Sequence, residues 1–478
     1  MVGSFIFVPI LLLMIVNVLS FSHKSKLHNI LFGFGLLTAL AQIALVLWPN
    51  KNFWQLTANY QFNVIKFNLA ADNLTLVMLL AIGLVGLIAL IVARGLINDV
   101  DQEYNFTNLW FIALTGMNGL VLATDIFSLY VFIEITAVAS FILIALTKER
   151  DALEGAFKYV IFSSFATVLM LAAIALLVFF AGDTSFAAIA NAIKANPGNS
   201  LILMGLILYL LSVFIKSGLI PFHGWLPDAY SAAPAITSIF IAGIVTKVVG
   251  IYPLIRFVQL TGTLADPLRN ILLLVGGTSI VIAALSALGQ TNFKRLLAYS
   301  SISQMGYIVL GLAAGSALGL AGAILHIFNH AVFKSLLFIN AAAVEKQTGT
   351  LDIDKMGGLA EKMPYTGATS AIASLSTAGI PPLSGFWSKL LIIIALWNAQ
   401  LYFYATVAVL ASLLTLGYML TLQRKVFFGQ LENAFYETKE AGWQLVLPSL
   451  LLAGIILGLG LGFPWLINTW LIPIGKIL

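Results

Sequence analysis

The sequence predicts an all-α polytopic membrane protein of about 14 transmembrane helices, and three observations predict it. Of 478 residues, 60% are hydrophobic and only 9% charged, against about 25% in a soluble protein. Apolar windows of about 20 residues, the length that crosses a hydrocarbon core, follow one another with short polar loops between them. Two of these windows carry helix breakers beside a lysine, at corresponding places in two halves of the chain.

The windows fall near residues 3–20, 28–48, 73–93, 107–123, 127–147, 156–181, 201–220, 231–258, 270–289, 296–314, 319–343, 366–398, 402–424 and 443–470. The first, apolar from Phe5 to Val18 with no basic residue before it, reads as a retained span and not a cleaved signal. The longest hydrophilic stretches, Arg94–Phe106, Glu345–Met363 and Arg424–Trp443, are too short for a folded extramembrane domain. The net charge of +5 sits in the loops, where the bilayer explains it better than nucleic acid does. With the N-terminus outside, the cytoplasmic loops hold 14 of the 24 basic residues and the opposite side 6, which favours both termini outside. Cysteine is absent, which removes disulfides, thiolate metal sites and iron–sulfur ligation.

The four remaining basic residues, Lys216, Lys247, Lys334 and Lys389, fall inside apolar spans. Each costs about 2.5–3.5 kcal/mol at mid-bilayer on insertion scales, and such residues normally face the bundle interior and mark an ion path. Desolvation disfavours a lysine's charged form and a nearby carboxylate restores it, so a lysine caught between the two can exchange protons. Glu134, in LYVFIEITAVASF, is the only acid deep in any span, and Asp125 lies at the end of the same helix. The plainer alternative is a static ion pair that fixes packing, which would need one lysine and not four. Lys334 is the one of the four most open to a structural role. His326 and His330 stand four apart, on one helix face that Lys334 continues, and histidine titrates near neutral pH. With no carboxylate or cysteine beside them, that pair is read as a relay and not as a metal site. His223, where a span breaks, either gates water or caps a half-helix.

The breaks are FIKSGLIPFHGW, with Gly218 and Pro221, and STAGIPPLSGFWSK, with Gly379, Pro381, Pro382 and Gly385. Proline removes a backbone donor, and in lipid the freed carbonyls need protein or water. Interrupted spans in corresponding positions of two halves point to inverted repeats. The breaks lie five spans apart, so helices 4–8 and 9–13 read as two inverted five-helix units, with helices 7 and 12 broken. The expected organisation is an N-terminal three-helix segment (1–106), a first repeat (107–258), a second repeat (259–425) and a C-terminal helix 14 (426–478).

The segments IKSGLIPFHGWLPDAYSAAPAITS, NFKRLLAYSSISQMGY, LHIFNHAVFKSLLF, DKMGGL and AGIPPLSGFWSK together resemble the antiporter-like subunits of respiratory complex I and of Mrp cation/proton antiporters. The resemblance runs from about Asp125 to about Lys425. It implies that Glu134 pairs with Lys216, that Lys247 is the central relay residue, that His326 and His330 continue the path and that Lys389 ends it. Lys334, His223 and Asp228 follow as secondary positions. The lysine at 389 disfavours the complex I subunit with glutamate there, and the short N-terminus and GIPPLSGFWSK look most like an MrpD-type subunit. Asn292 departs from the family, in which aspartate is common, and so takes a carboxylate away from Lys294 and Arg295.

The reading that follows is a multi-pass subunit of a prokaryotic cell membrane. It moves protons, alone or against sodium, within a complex of other membrane subunits. The alternatives are an ion-pumping subunit of a membrane-bound hydrogenase or complex I-type oxidoreductase, a purely structural membrane-arm subunit, and a stand-alone carrier. No nucleophile, cofactor loop or metal cage is evident, so no cofactor is expected and any redox step belongs to another polypeptide.

Overall fold

The computed structural model describes residues 3–20, 24–48, 58–62, 64–262 and 266–466. Lys51 and Lys476, counted on the outer side, and the last residues of the fourteenth span lie outside them. The chain forms α1 (Ser4–Ser20), α2 (Lys24–Leu47), the hairpin β1 (Ala58–Phe62) and β2 (Ile65–Leu69), α3 (Asn73–Leu96), α4 (Val100–Leu122), α5 (Ile126–Ile144), α6 (Arg150–Ala181), α7 (Phe186–Ala195) and α8 (Ser200–Ser217). It continues through α9 (Trp225–Ala232), α10 (Ala235–Phe240), two π-helical turns (Ile241–Val245 and Lys247–Ile251), α11 (Tyr252–Thr261), α12 (Asp266–Leu288), α13 (Phe293–Ala313) and α14 (Ala317–Thr348). It ends with α15 (Pro364–Ala378), α16 (Ser384–Asn398), α17 (Tyr402–Val426), α18 (Trp443–Leu461) and the short α19 (Phe463–Leu466).

Among the described residues, 11 helical spans are long and apolar enough to cross a membrane. The helix α1, the more polar α4 and the broken pair α15–α16 take the other three places the sequence predicts. Side chains start and stop these helices. Asp125 accepts from Ser128 N at 2.7 Å and Asn292 from Arg295 N at 3.0 Å, each supplying an N-cap. Gly182, Gly218, Gly349 and Gly379 end helices in the left-handed conformation.

The chain divides into two compact units. The first comprises residues Met1–Leu90, Ile97–Gly218 and Ile244–Leu264. In it α4 packs on α1, α2 and α5, α6 packs on α5 and α8, and the second π turn lies against α8. Gly250 makes that approach possible, because a Cβ there would lie 2.7 Å from the backbone Cα of Ser217. The second unit comprises Ile91–Leu96, Leu219–Gly243 and Ala265–Leu478. There α14 packs against α13, α15, α16 and α18, and α17 against α12 and α15.

The structure corrects several details. The stretch between spans 2 and 3 holds an antiparallel hairpin, pairing Ala58 with Leu69 and Phe62 with Ile65, where only a loop is legible. Two backbone bonds anchor it: Thr124 N donates to Asn68 O at 3.0 Å and Thr184 N to Val64 O at 3.1 Å. The sixth span starts at Arg150, before the window 156–181 read from the sequence, so Lys158 lies within α6 and pairs with Glu154 at 2.7 Å. Nor does Asn292 leave the following cations bare. Lys294 pairs with Glu345 at 3.0 Å, and Arg295 with Asp228 at 2.6 Å.

Candidate functional site: buried ionisable groups in each unit

In the first unit, α5 carries Glu134 and the last turn of α8 carries Lys216. The Lys216 ammonium donates to Glu134 Oε1 at 2.9 Å, to Ser163 Oγ at 3.0 Å and to Thr167 Oγ1 at 3.3 Å. Thr167 Oγ1 in turn donates to Glu134 Oε1 at 2.7 Å. Ser163 and Thr167 are four apart on α6 and so share a face. The Lys216 side chain is 1% exposed and that of Glu134 28%, so the acid is the accessible end of the pair. Placed at the C-terminus of a half-helix, the ammonium also meets the negative end of the helix dipole. Lys247, wholly buried, opens the second π turn of the same unit. Such bulges insert a residue and rotate those that follow, and they recur at functional positions.

In the second unit, α15 ends at Gly379, φ 87°, and the chain turns into α16. Lys389 reaches back from α16. Its Nζ donates to Thr377 O at 2.8 Å and Ala378 O at 3.4 Å, and lies 4.4 Å from the centre of the Tyr307 ring. Beside it Ser388 Oγ is 2.8 Å from His326 Nδ1. Asn329 Nδ2 donates to Ser384 O at 2.8 Å and Ser388 Oγ at 3.2 Å. The His326 and His330 rings lie nearly parallel at 6.3 Å. One turn on, Lys334 Nζ donates to Leu297 O at 3.1 Å. All of these side chains are buried. His223 lies at the start of this unit with its ring centre 6.3 Å from that of Tyr299. The Arg295 guanidinium sits 6.0 Å from the same ring and is bonded to Asp228.

The structure therefore places Glu134 and Lys216 in one cluster, and Lys389, His326 and His330 in another, with Lys334 along the same face of α14. Five members of these clusters were not singled out in the sequence: Ser163, Thr167, Tyr307, Asn329 and Ser388. The pair on α6 left a signal, two hydroxyls at helical spacing within an apolar run. Tyr307 and Ser388 left none, because aromatic and serine residues are ordinary in such spans.

Buried lysines, histidines and one carboxylate, tied by hydroxyls and half-helix ends, define a membrane protein built to handle protons within the bilayer. The family described as NADH:quinone oxidoreductase/Mrp antiporter, TM matches residues 123–415, and the chain belongs to it. The chain is 32% identical over 467 residues to the D-type subunit of the Na(+)/H(+) antiporter from Alkalihalophilus pseudofirmus, covering 96% of this chain and 94% of that protein. Its fold matches a chain of the Mrp complex from Dietzia sp. with a TM-score of 0.86 at 24% identity, covering 100% and 96%. It matches a chain of an archaeal membrane-bound sulfane sulfur reductase equally well, with a TM-score of 0.86 at 26% identity, covering 100% and 97%.

Proposed function

We propose that this chain is a proton-translocating subunit of a multisubunit membrane complex and works as a D-type antiporter subunit, exchanging protons against sodium. The relative of nearly equal length supports the assignment. One observation carries the mechanism: a fully buried ammonium, Lys216, is held by one oxygen of a single carboxylate, Glu134, whose side chain stays 28% exposed. A proton arriving at Glu134 neutralises the carboxylate and removes the counter-charge of Lys216. An unpaired buried ammonium is costly, so its proton is driven onward. Lys247 serves as the central relay of the first unit. In the second unit His326, His330 and Lys389 take and release protons, and Lys334, His223 and Asp228 tune the approach.

The test uses everted membrane vesicles holding the whole complex. Glu134→Ala and Lys216→Ala abolish sodium-driven proton movement while the complex still purifies intact. Normal exchange in both variants refutes the mechanism, and loss of the complex instead of its activity assigns the pair a structural role. A second reading, an ion-pumping subunit of a respiratory complex, is favoured by the match to the sulfane sulfur reductase chain. Co-purification of redox subunits and sodium-independent proton movement would select it. The excess of basic residues in alternate loops supports both termini outside. Because the native chain has no cysteine, single cysteines at Thr147 and Asn196 report sidedness directly to impermeant thiol reagents.

A further inference from the structure

Thr167 has one proton and two acceptors for it. Its hydroxyl lies 2.7 Å from Glu134 Oε1 and, four residues back along its own helix α6, 2.9 Å from the Ser163 carbonyl. A threonine hydroxyl carries a single donor, so the two bonds compete. The bond to the carbonyl is the ordinary one in an apolar helix: Thr107, Thr136 and Thr377 bond the carbonyl four residues before them at 2.8, 2.8 and 2.7 Å. Thr167 differs in having a carboxylate oxygen within reach of the same hydroxyl, and in accepting from the Lys216 ammonium at 3.3 Å.

The charge of Glu134 decides between the two acceptors. A hydrogen bond to an ionised group is roughly twice as strong as one between neutral groups. While Glu134 is ionised, Thr167 therefore donates to it. Once Glu134 takes a proton that advantage ends, and the Ser163 carbonyl takes the hydroxyl instead. Both acceptors lie within 2.9 Å of one oxygen position, so rotation about the Cβ–Oγ1 bond makes the exchange and no helix has to move. Lys216 has three ammonium donors. Losing the carboxylate leaves it Ser163 Oγ at 3.0 Å and Thr167 Oγ1 at 3.3 Å. Its side chain is 1% exposed, so without these hydroxyls the ammonium would at that moment face an apolar interior.

We propose that Thr167 is a positioning residue, a hydroxyl that turns from Glu134 Oε1 to the Ser163 carbonyl when Glu134 takes a proton and that, together with Ser163 Oγ, holds the Lys216 ammonium in place while its counter-charge is gone. The proposal rests on the proton-translocating reading above and deepens it. Thr167 carries no proton onward: its own stays on Oγ1, no covalent bond changes, and only the direction of the O–H bond does. The device lets Glu134 become neutral without Lys216 losing its place, so the lysine is still aligned when it gives up its proton.

Two measurements on the whole complex test this. In everted vesicles, Thr167→Val and Thr167→Ala, which both remove the hydroxyl, should each slow sodium-driven proton movement about tenfold, as about 1.4 kcal/mol on a barrier does. Thr167→Ser should run at the native rate. The second measurement is the infrared difference spectrum of the purified complex between acid and neutral pH. Bands absent in Glu134→Gln belong to Glu134, one from the ionised carboxylate and one from the protonated carboxyl. Lys216, Tyr130 and Tyr159, the titratable side chains that interact with Glu134, contribute no carboxyl band. Thr167→Val should shift the carboxylate band and leave the carboxyl band in place, and Thr167→Ser should show both at their native positions. The proposal falls if both bands shift in Thr167→Val, because the hydroxyl then stays on Glu134 in both states, or if the carboxylate band does not shift. It also falls if Thr167→Val moves protons at the native rate, or if Thr167→Ser is as slow as Thr167→Val, which would assign the effect to packing. When Glu134→Ala is silent and Thr167→Val is normal, only the hydroxyl switch is refuted. When Glu134→Ala is also normal, the translocation reading itself has failed.

Discussion

The two units solve the same problem, an ammonium inside a membrane protein, in different ways. In the first, Lys216 belongs to the half-helix whose C-terminus it occupies, and a carboxylate on a neighbouring helix balances its charge. In the second, Lys389 belongs to the helix after the break and reaches back to the C-terminal carbonyls of α15. Among the described residues no carboxylate lies within ion-pair distance of it; carbonyl dipoles and the face of Tyr307 stabilise it instead. A charge balanced by a titratable partner can be switched by protonating that partner. A charge balanced by fixed dipoles cannot, and it changes only by gaining or losing its own proton. Under the mechanism proposed above, the first arrangement serves coupling and the second serves passage.

The sharpest way to break this comparison is thermodynamic. Glu134→Gln removes the counter-charge of Lys216, which then stays charged at a cost or gives up its proton, and should destabilise the subunit by up to about 3–5 kcal/mol. Adding Lys216→Met to that variant should recover most of the loss, since the double variant strands no charge. Lys389→Met strands no partner charge and should cost less, about 1–3 kcal/mol for carbonyls left unpaired. Thermal midpoints of the purified complex check all three. If Lys389→Met proves as costly as Glu134→Gln, the distinction between a partnered and a dipole-held lysine is wrong.

A second prediction sharpens what the units share. Each break is held by a glycine where another backbone comes too close for a Cβ. Gly250 faces Ser217 at the end of α8, and Gly385 faces the Ser376 carbonyl near the end of α15. Gly250→Ala and Gly385→Ala should each destabilise by about 1–3 kcal/mol through forced backbone shifts. Both should also lower transport by displacing the adjacent lysine. Gly454→Ala on α18, where a Cβ meets open space, should do neither. A tolerated Gly385→Ala beside an intolerant Gly250→Ala would show that only the first break is rigid.

Much of this was legible because lipid imposes a simple grammar. Apolar length gave the spans, glycine and proline marked both breaks, and lysines in apolar runs stood out as charges needing a reason. Which end of a half-helix each lysine serves was not legible. Lys216 and Lys389 lie on opposite sides of their breaks in sequence, yet both attend the C-terminus of the first half-helix, because Lys389 folds back. The π turns around Lys247 were also invisible, since IAGIVTKVVGI has no breaker that distinguishes π from α. The buried hydroxyls of α15 were hidden in TSAIASLST, because serine and threonine are ordinary in such spans; Ser370 and Ser374 accept from Gln423, and Thr369 donates to Asn340. The hairpin of residues 58–69 escaped notice because it lies between the apolar spans the composition makes conspicuous.

The smallest expected effect lies at the edge of the first unit. Asp72, just before α3, takes a bidentate bond from Arg256, with Nη1 to Oδ2 at 2.6 Å and Nη2 to Oδ1 at 2.9 Å. Burial pushes the Asp72 carboxyl up, but the Arg256 guanidinium and the Thr75 bonds outweigh it and bring it from 3.8 to about 2. A carboxyl lowered in the folded state stabilises above its unfolded value, and that stabilisation disappears as pH falls through the folded value. Asp72→Asn should therefore lower the thermal midpoint at pH 7, and the gap from the native chain should close between pH 3.8 and about 2. Because the Asp72 side chain is 36% exposed, solvent screens the pair and the gap should stay well below the Glu134→Gln effect. A gap that persists unchanged at pH 2 would mean that Asp72 acts through its Thr75 cap and not through its charge.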